Sequence, residues 1–138
     1  MKLGVCLGVL AGVGLLAASA ASAGLPKRLT TPTGNFITLY AFDAPSATHH
    51  VASADVQVCT SAHTPKGTEV YPPFFTLSLA GGVSVRISSS TAKSPALRVT
   101  PLGPGKCVRG WVSFAVPAGA HVSALVYTYG KPIRWKLG

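Results

Sequence analysis

Acidic residues are almost missing from this sequence: Asp43, Asp55 and Glu69 stand alone among 138 residues, against 12 Lys and Arg. A mechanism that needs two carboxylates converging on one bond has little to draw on. Asp43 precedes Ala-Pro in a turn, Asp55 falls on the polar parity of a strand, and Glu69 follows Lys66-Gly67-Thr68 in a loop. Histidine is scarce as well, with His49, His50, His63 and His121 as its four copies. A metal centre needs three or four converging ligands with backing partners, and neighbours such as His49 and His50 point to opposite sides of an extended chain. No metal and no cofactor is expected. Nucleophile elbow, phosphate-cradling loop, zinc-protease helix and dinucleotide fingerprint are all absent from the sequence. An enzyme built on His121 or His63 would need a concave site that gives the imidazole a hydrogen-bond partner, and no motif announces one. The expected protein is not an enzyme.

Beyond residue 23, stretches that could hold a normal helix are missing too. All 11 prolines lie there, many beside glycine or another proline, which excludes helices of more than two turns. The long uncharged run is N-terminal: Lys2 is followed by Leu3 to Leu16 without a charge, then by Ala17-Ala18-Ser19-Ala20-Ala21-Ser22-Ala23. A positive start, an apolar stretch and an A-x-A ending read as a secretory signal peptide over residues 1–23. Cleavage after Ala20 is the alternative to cleavage after Ala23. A retained membrane anchor is the competing reading, because the uncharged stretch approaches spanning length; Gly, Ala and Ser crowd its second half and weaken it as a span. Cys6 precedes most of the apolar stretch and so is misplaced for lipidation. The expected mature chain, 24–138, suits one domain and is secreted or extracellular, with the cell wall as a place of attachment and no transmembrane segment. Its cysteines are then an even pair, Cys59 and Cys107, in an oxidising compartment, and are expected to bond to each other. Two separate thiols are the competing reading.

What remains is β-rich. Residues 24–35 carry Pro26, Lys27, Arg28, Pro32 and Gly34 with little apolar content and read as a flexible leader. The domain runs from 36 to 138. Phe36 to Phe42 is its first strand. In Val51 to Thr60, Ala52, Ala54, Val56 and Val58 alternate with Ser53, Asp55, Gln57 and Cys59. Nothing regular is expected between His63 and Pro73. Phe74 to Leu79 and Val83 to Ser88 flank Ala80-Gly81-Gly82, a hairpin in which glycine supplies positive φ. A brief strand over Ala96 to Thr100 precedes the longest alternating segment, where Val108, Gly110, Val112, Phe114 and Val116 share one face and Cys107, Arg109, Trp111 and Ser113 the other. His121 to Tyr129 and Ile133 to Leu137 close the chain. Seven or eight short strands at these spacings predict an antiparallel two-sheet sandwich. Both cysteines fall on the polar parity of their strands. The disulfide is therefore expected on an outer face or rim, joining strands that are neighbours in one sheet or meet at its end, unless a bulge shifts either strand.

The order of a Val-x-Val-Cys strand, a Gly hairpin, Leu102-Gly103-Pro104-Gly105-Lys106-Cys107-Val108-Arg109-Gly110-Trp111-Val112-Ser113-Phe114-Ala115-Val116-Pro117 and a closing Ile133-Arg134-Trp135-Lys136-Leu137 resembles the actinobacterial family of secreted domains of unknown function with a telokin-like immunoglobulin sandwich. A small immunogenic protein secreted by mycobacteria is in the same superfamily. The resemblance covers roughly Phe36 to Leu137, and its most specific part is the stretch from Pro104 to Pro117. It implies an immunoglobulin-like sandwich, secretion and an actinobacterial source, and no reaction.

Eleven of the twelve Lys and Arg follow residue 23, a net charge of +8 against the three acids. Such an excess favours polyanions or anionic surfaces as neighbours. Arg109, Trp111, Arg134 and Lys136 are the candidate partner-binding residues: if the motif strand and the closing strand lie close, they form a basic patch with an aromatic contact. The expected partner is an anionic envelope polymer or lipid surface. Nucleic acid is not expected, since export removes the chain from it and no stacking platform is recognisable. The alternative is a protein-binding module, an antigen or inhibitor, that uses an aromatic loop around Tyr71, Phe74 and Phe75.

Overall fold

Segments rich in Val, Ile, Phe and Thr, cut by Gly and Pro, pair as strands in the computed structural model, which describes residues 24–138. The expected signal peptide, with Cys6, lies outside the described residues. Ten strands follow in chain order: β1 (Lys27–Thr30), β2 (Phe36–Asp43), β3 (Val51–Cys59), β4 (Glu69–Val70), β5 (Phe75–Leu79), β6 (Ser84–Arg86), β7 (Thr100–Pro101), β8 (Cys107–Ala115), β9 (Val122–Tyr127) and β10 (Ile133–Lys136). Among the described residues the helical elements are two 3-10 turns, Pro72–Phe74 and Ser89–Thr91, as the density of proline requires. One sheet runs β1-β2-β3-β8, a second β10-β9-β5-β6, and β4 pairs with β7 in a small third. All of these pairings are antiparallel. With β2, β3 and β8 in one layer and β10, β9, β5 and β6 in the other, the chain follows the order of an immunoglobulin-like sandwich.

Alternation decides what is inside. Ile37, Leu39, Ala52, Ala54, Val56, Val112 and Phe114 of the first sheet meet Phe75, Leu77, Leu125, Tyr127 and Trp135 of the second, and all are buried. The valine face of β8 lies inward as its spacing requires. Both cysteines lie outward: Cys59 and Cys107 are directly opposed in the β3–β8 register and joined as a disulfide. The bridge thus staples neighbours within one sheet and does not cross the core.

Three expectations are corrected. The leader, residues 24–35, contains β1, whose register runs from Lys27 opposite Leu39 to Thr30 opposite Phe36. Leu25 and Leu29 pack against the core, and the indole N–H of Trp135 donates to the Lys27 carbonyl at 3.1 Å. Two leucines four residues apart are too sparse a pattern to reveal a strand, yet they suffice to hold one on an existing edge. The loop between His63 and Pro73 keeps a two-residue strand, β4, held by its pairing with β7. The brief strand expected over Ala96 to Thr100 is displaced to Thr100–Pro101, and Ala96 instead makes a lone parallel bridge to Trp111. With β1 and β4, the eight anticipated segments become ten.

The segment around that bridge matters for the site. Between β6 and β7 the chain runs as a strap along the free edge of β8: the Ser88 N–H donates to the Ser113 carbonyl, Trp111 N–H to the Pro95 carbonyl, and Leu97 N–H to the Trp111 carbonyl, at 2.8, 2.8 and 2.9 Å. Gly110 permits this. A Cβ there would fall 2.6 Å from the Leu97 nitrogen and 2.7 Å from its Cα, closer than any side chain tolerates.

Candidate functional site

The outer face of the first sheet is read off its register. Arg28, Thr38, Gln57 and Arg109 form one row across the four strands, and Ala41, Asp55 and Trp111 form the next. Arg109 is committed within this face. Its Nε donates to Asp55 Oδ1 at 3.0 Å and its Nη2 to Oδ2 at 2.6 Å, a two-pronged ion pair, and its guanidinium lies 3.8 Å above the Tyr40 ring. The hydrogen bond from Arg109 to Asp55 raises the Arg109 pKa above its ordinary value, with the Asp55 charge adding to it against a smaller opposing effect of desolvation. Asp55, expected on an exposed parity, is only 8 % exposed because this pair covers it.

Trp111 is half-buried beside the strap. Lys93 reaches over the face, sits 3.8 Å above the Trp111 ring and pairs with Asp43. One side of the indole is therefore occupied by a cation from the same chain. At the other end a groove of about 530 Å³ opens between Arg28, Phe36, Tyr40, Gln57 and the disulfide. There Arg28 lies 3.7 Å over Phe36, and the Tyr40 hydroxyl donates to Gln57 Oε1 at 2.9 Å.

Arg134 and Lys136 lie elsewhere. They are on β10, in the second sheet, so the structure brings Arg109 to Trp111 and Arg134 to Lys136 but leaves the two pairs on opposite faces of the sandwich. The single patch that closeness of β8 and β10 would create does not form. The physical reason is the Greek-key order, which sends the motif strand and the closing strand to different layers and to opposite edges. The second face instead recruits Arg86, a residue that sequence reasoning passed over. Arg134, Val126, Thr76 and Arg86 make one row across the four strands, and Lys136, Ala124, Ser78 and Ser84 make the next. Three strand spacings separate Arg134 from Arg86, roughly 14 Å. Val126, Ala124 and Ser78 form a buried floor between them, while the three cations are exposed. None of the three is in an ion pair among the described residues, and none of the three acids is on this face.

The aromatic loop is also redistributed. Phe75 is fully buried in the core, whereas Tyr71 and Tyr129 are 46 % and 51 % exposed and Phe74 lies between them, with ring centroids 5.2 and 5.0 Å away. His50 and His121 line a cleft of about 210 Å³. His63 is on an exposed loop. Among the described residues none of the four imidazoles has a side-chain hydrogen bond, and no three His, Cys, Asp or Glu side chains converge as a metal would need. No helix among them is long and apolar enough to cross a membrane.

The fold and the two faces define the class, an immunoglobulin-like sandwich with one open cationic sheet. No family model, curated protein or solved structure matches the chain.

Proposed function

We propose that this chain belongs to the actinobacterial secreted family that its motif strand resembles. In this reading it works at or outside the cell envelope without catalysing a reaction, holding an anionic envelope polymer or anionic lipid surface against the outer face of its second sheet. The observation that carries the reading is the row without Asp or Glu and its neighbour: Arg134 and Arg86 at the two sides of the sheet, Lys136 beside Arg134, and no acidic side chain among them. Arg134 and Lys136, two residues apart on one strand and so about 7 Å from each other, lie within the ~8 Å screening length of physiological salt and reinforce each other's field, and Arg86 carries the cationic surface across the sheet. Arg109 is removed from the binding residues first envisaged, because Asp55 already neutralises it.

The test is retention of residues 24–138 on immobilised heparin, with sedimentation on anionic vesicles as its lipid counterpart. The triple variant Arg86→Gln, Arg134→Gln, Lys136→Gln should elute at clearly lower salt than the parent and lose vesicle binding, and Arg109→Gln should elute with the parent. Equal elution of parent and triple variant rejects the reading.

A second reading, a protein-binding module, is favoured by the exposed Tyr71 and Tyr129 around Phe74. It expects binding that salt leaves unchanged and Tyr71→Ser weakens.

A further inference from the structure

With cations so abundant, any carboxylate has partners to choose from, and two of the three acids have taken one: Asp43 pairs with Lys93 and Asp55 with Arg109. Glu69 has none among the described residues. It stands on β4, opposite Pro101. There it borders a pocket of about 200 Å³ whose wall includes Phe74, Tyr127 and Tyr129. Phe74 is central, with its ring centroid 6.0 Å from that of Tyr127 and 5.0 Å from that of Tyr129. Glu69 is the one acidic side chain on the wall of this pocket.

We infer that this pocket binds a small alkylammonium group, held by the aromatic rings and neutralised by Glu69. Aromatic rings present negative faces that attract organic cations, and a carboxylate at the mouth adds the counter-charge. An anion would meet the wrong sign. The space exceeds the ~150 Å³ cavity that accepts a benzene ring, so a methylated ammonium head or the end of a butylammonium chain fits by size. Tyr127 faces the core side of the second sheet whereas the cationic row is on its outer side, and the inference does not depend on the proposed polyanion binding.

Two chemical sources share this head group, the quaternary ammonium and the primary alkylamine, and two probes distinguish them. Residues 24–138 are titrated with choline chloride and separately with n-butylammonium chloride at constant ionic strength, with amide shifts followed by NMR. 3,3-Dimethyl-1-butanol serves as the uncharged isostere of choline. A saturable shift at residues 69, 74, 127 and 129 with at least one cation is expected. Glu69→Gln and Tyr129→Ser, both at exposed positions, should each weaken it about two- to fivefold while the remaining spectrum keeps its dispersion. The inference is overturned if neither cation shifts these residues, if the isostere binds as well as choline, or if Glu69→Gln titrates like the parent.

Discussion

The two outer faces of this sandwich dispose of their charges in opposite ways. On the first sheet each cation near the centre is answered: Arg109 by Asp55 and Tyr40, Lys93 by Asp43 and Trp111, Arg28 by Phe36. A disulfide and a strap tie the same face down. On the second sheet Arg86, Arg134 and Lys136 stand over small buried residues with no acid beside them. A net charge therefore says little about where a partner can dock. What counts is which cations the fold has left unanswered, and both aspartates are spent on one face. The first face carries the disulfide and the strap, and the second is the one on which the proposed polyanion would dock.

That division can be broken most forcefully at the disulfide. Replacing Cys59 and Cys107 together by alanine frees a loop spanning 48 positions and should cost about 4 kcal/mol in the chain-entropy model, a large share of what a small domain has. Urea unfolding measures it. If the faces are independent, the folded fraction of the variant still elutes from heparin at the parent's salt concentration; a large drop in retention would show that the first face shapes the second. Gly110→Ala comes next. Its Cβ would meet the Leu97 backbone, and because backbone cannot swing aside, the strap must shift, at about 1–3 kcal/mol as for other overpacked sites. Unfolding with unchanged stability would mean that the strap does not press on β8 as closely as described.

The first sheet was more legible in the sequence than the second. Alternation in β3 and β8 is long enough to fix which residues face inward, and the parity of Cys59 and Cys107 points to a bridge on an outer face or rim, between neighbours in one sheet or strands that meet at its end; the structure shows the first of these. The hairpin at Gly81 and Gly82, both with positive φ, was equally plain. The cationic row was not. The outward parity of Arg86 follows from its place after Val85, but setting it in line with Arg134 requires the order β10-β9-β5-β6, which joins strands 48 residues apart and leaves no local mark. The same ignorance of strand order underlay the expectation that Arg109 and Arg134 share a patch. β1 escaped notice for another reason: its stability comes from the edge it joins and from Trp135, not from its own four residues.

The smallest effect separates the inner side of the second sheet from its outer side. Val126 and Tyr127 are neighbours on β9, one in the cationic row and the other facing the core. Burial raises the Tyr127 hydroxyl to about 12, with the neighbouring Tyr129 adding to it, whereas in the unfolded chain a tyrosine ionises near 10. Between those values the unfolded state binds fewer protons than the folded one, so stability is intact below pH 10 and falls as pH rises toward 12. Tyr127 lines a pocket at the surface, and solvent screening leaves a loss on the order of 1 kcal/mol. Unfolding measured at pH 9 and at pH 11.5 should show a smaller fall for Tyr127→Phe than for the parent. Arg134→Gln, one strand away but on the outer face, should retain the parent's fall. Identical falls in the parent and Tyr127→Phe would mean that the ring is as wet as the cations behind it, and the contrast between the two sides of that sheet would be lost.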